Sequence, residues 1–387
     1  MENDSGLRAL LVAEGSGGHV IPALQVARAL SSAGAHVKVW YAQRQHTRSL
    51  VQALTQEWTG ARTDIETIPI ESGASSLERL WHSGQLWNRA QRCFDTFAPD
   101  VVVGFGGWVS APVILAARAR RIGCLLHEQN VVMGRANQWL TRWVDRVAVS
   151  FRDTQTAVHG APSVMTGLPV RGRIGRSSRA QAASRFGLRP DQPTVFILGG
   201  SQGSRAINRM MMEVVALCSP EERRRWQIVH LVGSEDAVAV NAAYAAHHVA
   251  SWVSPFLLDM ETAYAQADLV IARAGASTIA ELARCGTPSI LIPYPHAGGH
   301  QRANAQLVET IGGGLMIEES EATAERLVAA IRRILVDERF RRIMGSQMRS
   351  LDCPEAADRL REAIVEVATA RARRPIQLTP AVSGATS

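Results

Sequence analysis

Short continuous runs of Val, Ile, Leu and Ala alternate along the chain with longer stretches in which apolar positions recur every three or four residues. The short runs predict strands covered on both faces, and the longer stretches predict helices packed against them. Their regular alternation predicts an α/β fold with parallel sheets. Strands are expected at 7–13, 37–41, 101–105, 124–127, 147–150, 194–198, 228–232, 269–272 and 289–292, with a first helix at 20–30 and a last at 354–370.

The pattern also repeats itself. The run at 9–13 leads into Gly15-Ser16-Gly17-Gly18 and then a helix, and the run at 194–198 leads into Gly199-Gly200-Ser201-Gln202-Gly203 and then a helix. One strand–glycine turn–helix device thus opens each half of the chain, which predicts two similarly built domains, as the 387-residue length also suggests. Gly167, Pro169 and Gly172 punctuate the pattern at the join. The expected division is an N-terminal domain over 1–170, a C-terminal domain over 171–353, a helix over about 354–370, and a disordered Thr/Pro/Ser/Gly tail over 371–387.

Composition narrows the partners. The chain is 46% hydrophobic and 20% charged, as a packed globular protein should be, with a net charge of +7 that suits an anionic partner. No binding motif for nucleic acid is present and lysine is nearly absent, so phosphate-bearing substrates or an acidic membrane fit better. Five isolated cysteines, with no Cys-x-x-Cys pair, read as reduced buried thiols. No apolar run is long enough to span a bilayer and no signal-type stretch opens the chain, so any membrane contact is expected to be peripheral, on the cytoplasmic face. Tryptophan, with nine copies, outnumbers phenylalanine and tyrosine. Trp81 and Trp87 with Leu77, Leu80 and Leu86 are interleaved with Arg79, Arg89 and Arg92, and Trp139, Leu140 and Trp143 with Arg135, Arg142 and Arg146. Such stretches suit an anionic lipid surface, or else core-facing helices.

A glycine turn between a parallel strand and a helix brings backbone N–H groups to a phosphate at the helix N-terminus. Two such turns facing one cleft form a more specific site than either alone. Val20 replaces the last glycine of a dinucleotide fingerprint, and no P-loop is present. Gly199–Gly203 also fits the nucleophile elbow of hydrolases, with Asp268 and His296 following in order. His19, on the first turn, could take a proton from an acceptor hydroxyl or merely bond to backbone. Thr278 and Glu281 fit a capping box, while Glu281 could instead receive the hydroxyls of a ribose. Glycines 298 and 299 argue against a helical metal pair at His296 and His300. No Asp-x-Asp pair exists, so no metal or other cofactor is expected, and helix N-termini and fixed donors would hold a diphosphate.

Gly15-Ser16-Gly17-Gly18-His19, Gly106-Gly107-Trp108-Val109-Ser110, His127-Glu128-Gln129-Asn130, Gly199–Gly203, Arg273-Ala274-Gly275-Ala276-Ser277-Thr278 with Glu281, and Gln301 with Asn304 occur together in this order. Over roughly residues 7–370 the chain resembles the MurG family of peptidoglycan synthesis, which transfers N-acetylglucosamine (GlcNAc) from UDP-GlcNAc to lipid I to give lipid II. The resemblance implies a GT-B fold, two Rossmann-like domains facing across a deep cleft, with a last helix that returns to the first domain. It implies an inverting, metal-independent transfer to the 4-hydroxyl of MurNAc, with the acceptor on the N-terminal domain at the membrane. It further implies that Ser16, Gly17 and Gly18 line the phosphates, that Asn130 and Gln301 contact GlcNAc with Asn304 close by, and that Arg171 and Ser201 reach the diphosphate. Leu257, Ala276, Ser277, Thr278 and Glu281 would hold uracil and ribose, and His19 is the candidate base. A UDP-GlcNAc 2-epimerase shares the implied fold, and a nucleotide-binding protein without turnover is a further alternative. Leu168 stands where the family usually has Asn, and Glu14 where it usually has Gly.

Overall fold

The computed structural model describes residues 4, 6–43, 47–56, 58, 62–69, 76–200 and 203–372, except that nothing is said of the side chains of residues 76, 77, 79, 80 and 372. The first sheet contains β1 (Arg8–Ala13), β2 (His36–Ala42), β3 (Thr63–Ile68), β4 (Val101–Gly104), β5 (Gly123–Glu128), β6 (Arg146–Val149) and β7 (Ser163–Met165). The second contains β8 (Thr194–Leu198), β9 (Gln227–Leu231), β10 (Ser251–Ser254), β11 (Leu269–Ala272), β12 (Ser289–Leu291) and β13 (Gly314–Met316). All pairings are parallel. The spatial orders are β3-β2-β1-β4-β5-β6-β7 and β10-β9-β8-β11-β12-β13, the doubly wound arrangement in both halves. In each, chain order reverses beside the strand that feeds a glycine turn, β1 in one sheet and β8 in the other. Both turns therefore lie at the carboxyl edge, where such sheets bind ligands.

Central strands are buried on both faces, which is why they read as unbroken apolar runs: β1 is buried from Ala9 to Ala13 and β8 throughout. On one face of the first sheet lie the helices Gly17–Ser32 and Ala356–Ala372, the latter contributing Leu360, Ala363, Ile364, Val367 and Ala368 to that core. The last helix thus completes the first domain from the far end of the chain, and it runs through 371 and 372, where the tail was expected to begin; residues 373–387 lie outside the described residues. The chain crosses between domains twice, at 166–171 and near 353, and the crossings touch: Cys353 Sγ donates to Thr166 O at 3.3 Å. Gly167, at φ +79°, lies so close to Cys353 that no side chain fits. Leu168 is buried in the second domain's core, so this position makes an apolar contact there.

Candidate functional site

Ser16 is the N-cap of helix Gly17–Ser32, with extended backbone (φ −83°, ψ 148°). A serine there ordinarily accepts from an N–H of the first turn, at a gain of about 1 kcal/mol. Here it caps nothing. Its Oγ shares a hydrogen bond with His19 Nδ1 at 2.5 Å instead. The other ring nitrogen turns to the loop after β4, where a Cβ on Gly106 would stand 3.0 Å from Nε2. Gly106 and Gly107 have φ of +85° and +77°, and the carboxylate of Glu14 lies against Gly107. The loop approaches both side chains this closely because it carries none of its own.

Across the cleft, helix Ala276–Cys285 begins at Gly275 with no side-chain cap. Its second residue, Ser277, holds a buried Oγ without a hydrogen-bond partner, 3.8 Å from where a Cβ on Gly18 would lie. Neither helix has an acidic residue in its first turn. Two helix N-termini, each carrying unpaired N–H groups and about half a positive charge, therefore face one another. Gly17 and Gly18 sit in that first turn with Ser16. Gly275, and not Thr278, is the N-cap, so the capping box is not formed and Glu281 needs another explanation.

Glu281 is buried. Its Oε1 accepts from Arg171 Nη2 at 3.3 Å and its Oε2 from Tyr264 OH at 2.9 Å. Arg171, also buried, donates from Nη1 to Leu258 O at 2.8 Å, and its Nε has no partner. Beside Arg171 a cavity of about 440 Å³ opens between the domains, lined by Gln25, Leu50 and Arg28 on one side and Arg173, Leu258 and Glu261 on the other. Leu257 is buried in the second domain's core next to it.

Asn304 is fully buried and joins the two domains. Its Oδ1 accepts from Val131 N at 2.9 Å, and its Nδ2 donates to Asn130 Oδ1 and to Ala274 O, each at 3.1 Å. Asn130 is held in turn by Glu128, whose carboxylate accepts from the backbone of Asn130 and Gly134 and from the amides of Asn130 and Asn137. His127 is clamped between Gly167 O and the Gln129 amide, and burial pushes its pKa down to about 4. Gln301 lies on the same helix as Asn304, its Oε1 accepting from Tyr294 N at 2.9 Å. Ser201 is outside the described residues. The structure thus links Asn130, Asn304 and Ala276–Thr278 to the first glycine turn, and places Arg171, Leu257 and Glu281 at the adjoining cavity. Tyr264 and Glu128 were missed by sequence reasoning. Tyr264 offers no local signal, since it meets Glu281 only through packing. Glu128 was visible in its motif, but its clamp reaches nine residues ahead, across a loop to Asn137 in the helix Arg135–Leu140.

The hydrolase alternative fails on geometry. Asp268 precedes β11, and its carboxylate accepts from Thr194 N at the amino end of β8, whereas Gly199 follows the carboxyl end of that strand. The acid thus sits at the amino edge of the sheet, away from the turn that Gly199 opens. His300 shares a hydrogen bond with Val132 O while His296 meets Tyr294 edge to face, and among the described residues no three His, Cys, Asp or Glu side chains gather as a metal site. Burial pushes the thiols of Cys124 and Cys285 up to about 12, too high for nucleophiles near neutrality.

The tryptophan stretches divide between the two readings. Trp40 and Leu86 are buried and Trp87 packs on the core, whereas Trp81 (63%), Trp139 (49%) and Trp143 (40%) are exposed, with Arg135 and Arg142 exposed beside the last two. Both exposed groups flank the helix Ser110–Ala119 on one face of the first sheet. No described helix is long and apolar enough to cross a membrane.

Residues 9–149 match the glycosyltransferase family 28 N-terminal domain, and residues 194–360 match its C-terminal domain. The chain is 34% identical over 367 residues to the UDP-N-acetylglucosamine--N-acetylmuramyl-(pentapeptide) pyrophosphoryl-undecaprenol N-acetylglucosamine transferase of Desulforamulus reducens, covering 90% of this chain and 96% of that one. It is 35% identical to the protein of that name from Mesorhizobium japonicum, covering 90% and 92%. Among solved structures it resembles Acinetobacter baumannii MurG, with a TM-score of 0.71 at 28% identity over 93% and 99% of the two chains. UDP-GlcNAc 2-epimerase from Neisseria meningitidis superposes with a TM-score of 0.69 at 11% identity over 93% and 100%, a likeness of fold alone.

Proposed function

The chain belongs to the MurG family within glycosyltransferase family 28, and from that membership we propose that it transfers GlcNAc from UDP-GlcNAc to lipid I, forming lipid II. The observation that carries the reading is the pair of uncapped, acid-free helix N-termini at Gly17 and Ala276, which face each other and suit a diphosphate. In this reading the donor lies mainly on the C-terminal domain. Glu281 keeps lone pairs for the ribose hydroxyls beyond those used by Arg171 and Tyr264, and the unpartnered Nε–H of Arg171 is available to a diphosphate oxygen. Asn130, which accepts from Asn304 Nδ2, and Gln301, on the same helix as Asn304, would contact GlcNAc.

The transfer is a single displacement. The 4-hydroxyl oxygen of MurNAc bonds to the anomeric carbon as the bond from that carbon to the β-phosphate oxygen breaks. UDP leaves with the electron pair, and the hydroxyl proton passes to His19 Nε2. The exposed Trp81, Trp139 and Trp143, with Arg135 and Arg142, would rest on the anionic cytoplasmic membrane surface and bring the N-terminal domain to its lipid-linked acceptor. The test is transfer of labelled GlcNAc to a lipid I analogue, in EDTA, by the native chain and by Glu281→Gln. We expect transfer that survives EDTA and a donor KM at least tenfold higher in the variant. UDP binding without transfer would overturn the activity and call for a 2-epimerase assay.

A further inference from the structure

Ser16 breaks a local rule. It has the residue type, the position and the extended backbone of an N-cap, yet its hydroxyl leaves the helix uncapped and reaches His19 Nδ1 at 2.5 Å. This leaves the helix N-terminus open to an anion, and it fixes which ring nitrogen faces the Gly106 loop, Nε2.

A neutral imidazole carries one N–H, and Nε2 accepts a proton only when that N–H is on Nδ1. Ser16 can satisfy the bond in two ways. If its O–H donates to Nδ1, the ring hydrogen is on Nε2 and the base is blocked. If an anion at the helix N-terminus takes the Ser16 O–H, the serine oxygen can only accept, so Nδ1 must carry the hydrogen and Nε2 presents its lone pair. We propose that Ser16 is a positioning residue that couples pyrophosphate binding to the tautomer of His19, so that the base is formed only when a pyrophosphate oxygen accepts the Ser16 hydroxyl. Once Nε2 has taken the acceptor proton, the Nδ1–H of the imidazolium remains bonded to Ser16, and the proton on Nε2 leaves to water. The pyrophosphate belongs either to the donor nucleotide or to the lipid-linked acceptor. The inference rests on the reading of His19 as base.

The experiment reads the tautomer directly, by imidazole 15N resonances of the full chain, with His19 assigned from His19→Ala. UDP and farnesyl diphosphate are titrated separately. We expect one of them to move His19 to the Nδ1–H form, which identifies the source of the phosphate. Ser16→Ala should lose this response and lower kcat by about tenfold or more, up to the about 10²–10⁴ that a general base contributes, a larger change than the rise in KM from the missing hydrogen bond to the phosphate. Ser16→Thr, which keeps the hydroxyl, should restore both. A tautomer that neither ligand moves, or a response that persists in Ser16→Ala, overturns the inference. Normal turnover in His19→Ala would instead sink the base reading on which it rests.

Discussion

At the scale of single residues, several side chains at the cleft forgo a hydrogen bond that would stabilise the fold locally. Ser16 gives up its cap, Ser277 keeps a buried hydroxyl unpartnered, and Arg171 retains an unpaired Nε. Arg171 and Glu281 form a buried pair, and removing one partner of such a pair strands the other. Glu281→Ala should therefore destabilise the fold by about 3–5 kcal/mol, while Glu281→Gln, which also removes the charge opposite Arg171 but keeps an acceptor oxygen and leaves no cavity, should cost less; denaturant midpoints of the two variants check this. The buried histidines set a pH dependence. Burial pushes His127 down to about 4 and His230 down to about 3, against about 6.5 unfolded. Below about pH 6.5 the unfolded chain takes up protons that the folded chain refuses. The stability that the two contribute is thus full above that pH and is lost as pH falls toward 4, with a slope approaching about 1.4 kcal/mol per unit for each histidine. Urea unfolding at a series of pH values should show this decline. A profile flat across that range would contradict it.

At the scale of elements, all nine strands expected from apolar runs are present, within about two residues at either end. The four that were not expected are β3, β7, β10 and β13, the edge strands of the two sheets. An edge strand is covered on fewer sides, and these are half-exposed and in three cases only three or four residues long. Thr-Asp-Ile-Glu-Thr-Ile of β3 sets each isoleucine behind two polar residues, neither the continuous run of a central strand nor the strict alternation of a half-buried one. The last helix belongs to a core remote from it in sequence. Ile364→Ala should cost about 2–5 kcal/mol by leaving a cavity against the first sheet, seen as a lower unfolding midpoint reported by probes in the first domain. Unchanged unfolding of that domain would mean that the helix does not support it.

At the scale of the whole molecule, two doubly wound sheets are joined by adjacent crossings and by Asn304, so that one amide bonds the second domain to the Asn130 loop of the first. The exposed tryptophans and arginines lie on one face of the first sheet, the side that the proposed membrane contact would use. The double variant Trp139→Ala/Trp143→Ala should bind vesicles containing phosphatidylglycerol at least tenfold more weakly in cosedimentation while retaining UDP binding. Undiminished vesicle binding would remove the membrane role from this surface.

The sequence by itself determined the α/β class, the duplicated strand–glycine turn–helix, the buried strands and the order of the family motifs, because burial on both faces and the need for backbone N–H groups at a phosphate are written locally, in runs and glycines. It could not say whether a capping box forms at Glu281, or whether Asp268 stands near the Gly199 turn. Those depended on Gly275 rather than Thr278 starting the helix, and on which end of a strand Asp268 occupies. Only the tertiary structure brought Tyr264 and Arg171 to Glu281, Asn304 to Asn130, and Ser277 to Gly18, since each pair meets through packing between elements that no spacing along the chain records.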